Sequence, residues 1–295
     1  MTDFGRIRGT AWRHSVSAAL LAAAIWAAVV TIRADAHRVV SLIPATTEML
    51  FAMGAGDRVA AVGSYDHYPP EVERLPRVGA LLDPDVERII ALRPDLVVLY
   101  ATQTELRTVL ERTGIPFYSY THRGLADITE TIRSLGARVG AVPGANALAA
   151  RLERQIDDVR RRVAGRPRPR TLLVFGRERH TLANIDASGG YGFLHDMLEA
   201  AGGADVLSDL HRQSVMMTTE MVLARAPEVI IELRYTRGDT TTEAELNDWS
   251  TLGSVPAVRN RRLYLLRGDQ FVVPGPRVAE ATEAMARVLH PEAFR

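Results

Sequence analysis

The chain has 295 residues and a formal charge of +1; 47% of its residues are hydrophobic, 24% are charged and none is cysteine. These figures fit a globular protein with room for two cores, and exclude a disordered chain, a coiled coil and a nucleic-acid binder. Lacking cysteine, it has no disulfide framework, no thiolate metal site and no lipid-bearing Cys to follow a leader. Every basic residue is Arg, which reads as codon preference rather than chemistry.

At the N-terminus, Arg6, Arg8 and Arg13 precede a run from Val16 to Ile32 that is apolar except for Ser17 and Thr31. Ala34-Asp35-Ala36 then places small residues where a signal peptidase reads them, so residues 1–36 form a secretory signal cut after Ala36. The alternative is an uncut anchor, because the run is about the minimum for crossing a bilayer. Cleavage removes Arg6, Arg8, Arg13 and Arg33 with Asp3 and Asp35, lowering the formal charge by 2 to −1.

The β-branched run Arg38-Val39-Val40-Ser41-Leu42 predicts a strand, and Pro44 with Thr46-Thr47-Glu48 predicts a loop and a capped helix that stops at Gly54. A second buried strand runs from Val59 to Val62. The prolines of Tyr65-Asp66-His67-Tyr68-Pro69-Pro70 put those aromatic groups on a loop. Asp83-Pro84-Asp85 caps a helix through Ala91, Pro94 ends it, and Leu96 to Tyr100 form another strand. Strand and helix alternating at this spacing predict a parallel α/β lobe over residues 37–142.

Leu148, Leu152, Ile156, Val159 and Val163 then recur every three or four residues, predicting one long helix over residues 143–166. About 20 helical residues span about 30 Å, enough for a stiff strut between lobes. Strand character returns from Thr171 to Phe175, opening a second lobe over residues 167–295. That lobe repeats the first: the stretch from Glu87 to Val98 aligns without gaps on the stretch from Glu220 to Ile231, sharing the opening Glu, a Pro seven positions on and an acid before a buried strand. The fold class is therefore α/β, with two Rossmann-like lobes joined by a single long backbone helix and a ligand cleft between them.

The Arg38-to-Leu42 strand with Pro44 and Thr47-Glu48, the Tyr68-Pro69-Pro70 loop, and the Glu87-to-Val97 box resemble the periplasmic cobalamin-, haem- and ferric-siderophore-binding proteins of ABC importers, the cobalamin binders most of all. Trp249, Leu252, the stretch from Val255 to Val258, Asn260 and Leu263-Tyr264 resemble their C-terminal signature. The resemblance covers the mature chain and implies a rigid, monomeric carrier of the periplasm. It also implies that Glu87 and Glu220, one on each lobe, dock into Arg pockets of a dimeric inner-membrane permease, whereas a lone first-turn Glu would only favour the helix dipole.

Loops after strands nominate Tyr65, Asp66, His67, Tyr68, Leu81, Leu82, Tyr100, Arg177, His180, Gln213, Asp269 and Phe271 as ligand contacts. Their aromatic faces and few polar groups suit a broad, planar, partly polar guest. Tyr65 and Tyr100 match aromatic positions of the cobalamin binders, whereas Leu81 and Ser214 stand where that subgroup can carry Trp. Cobalamin or a related corrinoid is the expected cargo, with haem or a ferric siderophore as the alternative. Haem would need an axial Tyr or His, such as His67 or His180, and a siderophore would draw on Arg177 and Arg179. No His-carboxylate cluster at ligand spacing predicts a site for a bare metal, and no resident cofactor is expected.

An enzyme is the rival class. Gly189-Gly190-Tyr191-Gly192 follows no convincing strand and lacks a dinucleotide fingerprint's third glycine, so it reads as a cleft loop. G-x-S-x-G, H-E-x-x-H and the P-loop are all missing, and catalysis is not expected. A membrane-anchored sensor is a third possibility, separated from the carrier by whether the signal is cut.

Overall fold

Four short strands, Val39–Ser41 (β1), Val59–Val62 (β2), Leu96–Tyr100 (β3) and Phe117–Tyr120 (β4), form a parallel sheet in the order β2-β1-β3-β4 in a computed structural model that describes residues 35–235 and 243–295. The apolar run expected to be a signal lies outside the described residues. Ala36 is described: it is buried, and its N–H donates to the Arg138 carbonyl at 3.1 Å. The central strands carry apolar residues on both faces because helices cover both.

These helices are Pro44–Ala52 (α1), Val86–Ala91 (α2), Thr104–Thr113 (α3) and Leu125–Arg138 (α4). α1 begins one turn earlier than Thr46-Thr47-Glu48 suggested, with Pro44 at its first position, where a missing N–H costs nothing. Thr46 and Thr47 instead turn their hydroxyls into the buried interior, Thr46 to the Ile43 carbonyl at 3.0 Å and Thr47 to Ser41 Oγ at 2.8 Å.

The chain leaves this sheet once, through Val142–Val163 (α5), whose apolar stripe packs on α4. The second sheet is mixed. Arg170–Gly176 (β5), Val229–Arg234 (β9) and Leu263–Arg267 (β10) run parallel, while Ile185–Gly189 (β6) lies antiparallel between β5 and Arg212–Met217 (β8). Ala204–Asp205 (β7) adds a short parallel pair to β5. Phe193–Ala200 (α6), Thr219–Arg225 (α7), Pro256–Arg259 (α8) and Val278–Leu289 (α9) complete the element order. A strand does precede Gly190: its two antiparallel partners cover a run whose small polar residues hid its strand character.

Side-chain alternation in the second sheet builds two cores. Leu173, Val229, Ile231 and Leu233 join a cluster continuous through α5 and α9 into the first sheet, whereas Leu172, Val174 and Ile230 face a smaller cluster around Trp249.

The internal repeat is visible residue by residue. Asp85 and Thr218 cap α2 and α7 by accepting from the backbone N–H of Arg88 and Met221, at 2.9 and 3.3 Å. Glu87 and Glu220 each occupy the second helical position, and Arg93 and Ala226, equivalent in the alignment, both adopt left-handed φ, 48° and 45°.

At the start of α5, a Cβ on Gly144 would meet the Met53 carbonyl oxygen at 2.1 Å. That oxygen belongs to the backbone and cannot swing aside, so Gly144→Ala should lower the unfolding free energy by about 1–3 kcal/mol in urea titration. An unchanged midpoint would mean that α5 can slide at this contact.

Candidate functional site

Strand order reverses at β1, whose successors lie on opposite sides of it, and the loops leaving the carboxyl ends of β2, β3 and β4 border a crevice there. These ends present the loop from Tyr65 to Tyr68, then Tyr100, then His122. From the second sheet, β9 and β10 present Tyr235 and Asp269.

An aromatic cluster forms one wall. Tyr100 and Tyr120 have ring centroids 5.5 Å apart, His122 stacks on Tyr120 at 5.7 Å and 27°, and Phe193 meets His122 edge-on at 5.8 Å. His122, Phe175, Tyr191, Phe193, Gln213 and Val272 line a cavity of about 230 Å³. Gln213 Nε2 donates to the His122 carbonyl across it at 3.1 Å, and nearby the N–H of Leu125 in α4 donates to Asp196 Oδ2 of α6 at 2.9 Å. Burial favours the neutral imidazole and lowers the pKa of His122, and it raises that of the Tyr120 phenol, whose oxygen has no hydrogen-bond partner.

The floor is acidic. Glu48 of α1 and Arg277, at the start of α9, form a two-pronged ion pair that ties the two halves together, with Nη2 to Oε1 at 2.6 Å and Nε to Oε2 at 2.9 Å. The same guanidinium lies 4.0 Å from the Tyr68 ring centroid. Burial still raises the pKa of Glu48 against the pull of Arg277, with Asp269 adding repulsion. Asp66 is fully buried, neither carboxyl oxygen has a hydrogen-bond partner, and burial lifts its pKa to about 7. The nearby Thr47 hydroxyl is spent on Ser41, and Arg77 donates to the Gly63 and Asp66 carbonyls and to Glu73 rather than to the Asp66 carboxyl. Tyr100 is shifted up by burial and by the Asp66 charge.

The rim is apolar: Leu82 is 94% exposed and Tyr65 63%, with Tyr68 and Leu81 also exposed. Gln103 holds this rim, donating to the Leu81 carbonyl at 2.9 Å while accepting from the Tyr100 N–H at 2.9 Å.

Several nominated contacts stand elsewhere. Arg177 is fully committed inside the second lobe, to Glu232 at 2.7 Å, Asp248 at 2.8 Å and the Thr181 and Glu245 carbonyls, because a buried guanidinium needs all its donors met. Trp249 Nε1 completes that network by donating to Glu232 at 2.6 Å, and Arg179 pairs with Glu245 at 3.0 Å. Phe271 is buried in the main core, and its neighbour Val272 takes the cavity wall. Asp66 lies beneath the surface rather than on it. His67 turns to Glu73, with Nδ1 to Oε1 at 3.3 Å, and His180 is exposed on the loop after β5 and does not line the cavity.

The sequence reading missed His122, Phe193 and the Glu48–Arg277 pair. The Phe-Tyr-Ser-Tyr run of β4 carried the same end-of-strand signal that singled out Tyr100, so His122 was within reach. A pair 229 positions apart carried none. A roomier concavity of about 770 Å³ lies at the opposite, amino ends of β5 and β10, lined by Arg168, Arg170, Arg259 and Arg262. Among the described residues, no group of three or more His, Asp or Glu is placed to hold a bare metal ion.

The sequence pattern of the periplasmic binding proteins matches residues 39–270. The chain belongs to that family. An uncharacterized ABC transporter substrate-binding lipoprotein of Bacillus subtilis (strain 168) is 27% identical over 272 residues, covering 90% of this chain and 84% of its own length. The vitamin B12-binding protein of Yersinia pestis (strain Pestoides F) is 29% identical over 198 residues, or 66% of this chain and 69% of that protein. A solved periplasmic heme-binding protein from Pseudomonas aeruginosa superposes with a TM-score of 0.72 at 22% identity, covering 87% of this chain and 93% of that one, a likeness of fold alone. The protein is thus a substrate-binding protein of ABC transporters, a two-domain α/β carrier that works outside the cytoplasm with a membrane permease and its ATPase. Family members are transport binding proteins rather than enzymes. No helix among the described residues is long and apolar enough to cross a membrane.

Proposed function

We propose that this periplasmic binding protein captures cobalamin or a related corrinoid between its lobes and carries it, as a monomer, to the permease. The acidic floor carries the reading. Asp269 and the Glu48–Arg277 pair lie there with Asp66 buried beneath them, and the nearest cations, Arg77 and Arg277, are already engaged by Glu73, by backbone carbonyls and by Glu48. A corrinoid edged with carboxamide N–H donors needs no cation there, whereas haem propionates and catecholate oxygens would find both of these guanidinium groups already engaged. The apolar rim of Tyr65, Tyr68, Leu81 and Leu82 gives a planar ring system a surface to lie on. The similarity to a vitamin B12-binding protein supports the same choice. Titrating the purified protein with cobalamin and with hemin tests it: cobalamin should saturate at one per chain, and stoichiometric uptake of hemin by a protein that ignores cobalamin would reverse the ranking.

Delivery in this reading uses Glu87 and Glu220, both exposed in first helical turns at equivalent positions. The neighbouring Thr218 hydroxyl lowers the pKa of Glu220, so that carboxylate is charged and ready for an Arg partner. Glu87→Ala/Glu220→Ala should leave ligand affinity unchanged and reduce importer-stimulated ATP hydrolysis by about tenfold or more. Normal stimulation by the double variant would remove these residues from docking. Export in this reading removes residues 1–36. That cut gives up the buried Ala36 methyl and its hydrogen bond to Arg138, and N-terminal sequencing of the exported protein should begin at His37.

A further inference from the structure

His122 stands just past the carboxyl end of β4, half-buried, on the wall of the cavity between the lobes. Three aromatic rings fix its orientation: Tyr120 stacks on its face, Phe193 meets it at 76°, and Tyr100 lies 6.3 Å away at 60°. Its own carbonyl is held by Gln213 from the other lobe. Neither ring nitrogen has a hydrogen-bond partner among the described residues, although His67, His195 and His290 each have one at 3.1–3.3 Å. An imidazole stacked on one face, braced by two further rings and free at its nitrogens offers a lone pair to whatever enters the cavity.

We infer that His122 supplies an axial nitrogen ligand to the metal of the chelate captured in the cleft, taking the place of a labile water on that metal. One metal–oxygen bond breaks and one metal–nitrogen bond forms; the water leaves whole, and neither a proton nor an electron changes hands. The inference rests on the metal-chelate cargo proposed above and narrows it. The cargo must present an open or water-filled axial position, as four-nitrogen macrocycles do and a hexadentate ferric siderophore does not. Packing holds the ring at one place, so it discriminates by coordination as well as by shape.

The test compares aquocobalamin binding by the wild-type protein and by His122→Phe, a variant that keeps the ring stack and loses both nitrogens. The wild type should shift the visible bands of aquocobalamin to those of its imidazole adduct. His122→Phe should bind about tenfold more weakly or worse, with the bands of the aquo form unshifted, and melt within a few degrees of the parent. Cyanocobalamin, whose cyanide does not exchange, should give no shift with either protein. Identical band positions for the two proteins in complex with aquocobalamin would overturn the inference. If the wild type takes up hemin instead, the comparison is read in the Soret band, where a low-spin imidazole signature lost in His122→Phe supports the ligand role and an unchanged band refutes it. Were neither chelate to form a complex with the wild type, the cargo reading would fail, and the axial role would fall with it.

Discussion

Arg277→Met should destabilise the protein by about 3–5 kcal/mol, because it strands the Glu48 carboxylate in a site where the side chain is only 3% exposed. Burial raises the Glu48 pKa even with its partner in place, so the ion pair already falls short of offsetting its own desolvation. Removing the cation leaves an uncompensated buried charge; removing both charges does not. Glu48→Leu/Arg277→Met should therefore recover most of the loss, and a double-mutant cycle from urea midpoints would show strong coupling. Both prongs of the pair cross between the lobes, so the single variant should also weaken ligand binding more than the double. A single variant with a wild-type midpoint would mean that Glu48 finds water or another partner, and that the lobes are held by packing alone.

How much of this could be read from the residues follows from how local each signal is. The stretch from Leu96 to Tyr100 is an uninterrupted apolar run after a proline, and the structure makes it a strand with those bounds. The long helix was legible through its 3.6-residue stripe, and the repeat through the shared Glu, the Pro seven positions on and the acid before the strand; the caps and the paired left-handed residues Arg93 and Ala226 emerge only in the fold. The start of α1 was misplaced because threonines that resemble caps serve the interior instead. β6 escaped notice because its sequence, Ile-Asp-Ala-Ser-Gly, owes its strand state to the neighbours on either side rather than to propensity. At the site, exposure was the decisive unknown. Tyr65, Asp66 and Arg177 all follow strands, yet one lies on the rim, one beneath the floor and one inside a network with Glu232 and Asp248. Burial and long-range pairing are products of the assembled sheets, and no window of sequence contains them.

Stability should fall as pH rises from about 4 to 7, and Asp66 should account for much of the fall. Its carboxyl has an ordinary pKa of 3.8 and one of about 7 in the fold, so the folded state binds a proton there that the unfolded chain has released. Where the native state holds the extra proton, the slope of unfolding free energy against pH is negative. The contribution is fully present below 3.8, is lost progressively up to about 7, and amounts to on the order of 4 kcal/mol. The cause is plain: burial without a hydrogen-bond donor penalises the charged form, and Arg77, the cation in range, gives its donors elsewhere. Asp66→Asn removes the titration while keeping the shape. It should be more stable than the parent at pH 8 by a few kcal/mol, nearly equal to it at pH 4, and the difference between the two curves should trace one group titrating near neutrality. Urea midpoints of both proteins at half-unit steps would show it. Parallel curves across that range would mean that the Asp66 carboxylate is solvated in the native state, and that its burial under the cleft floor is breached by water.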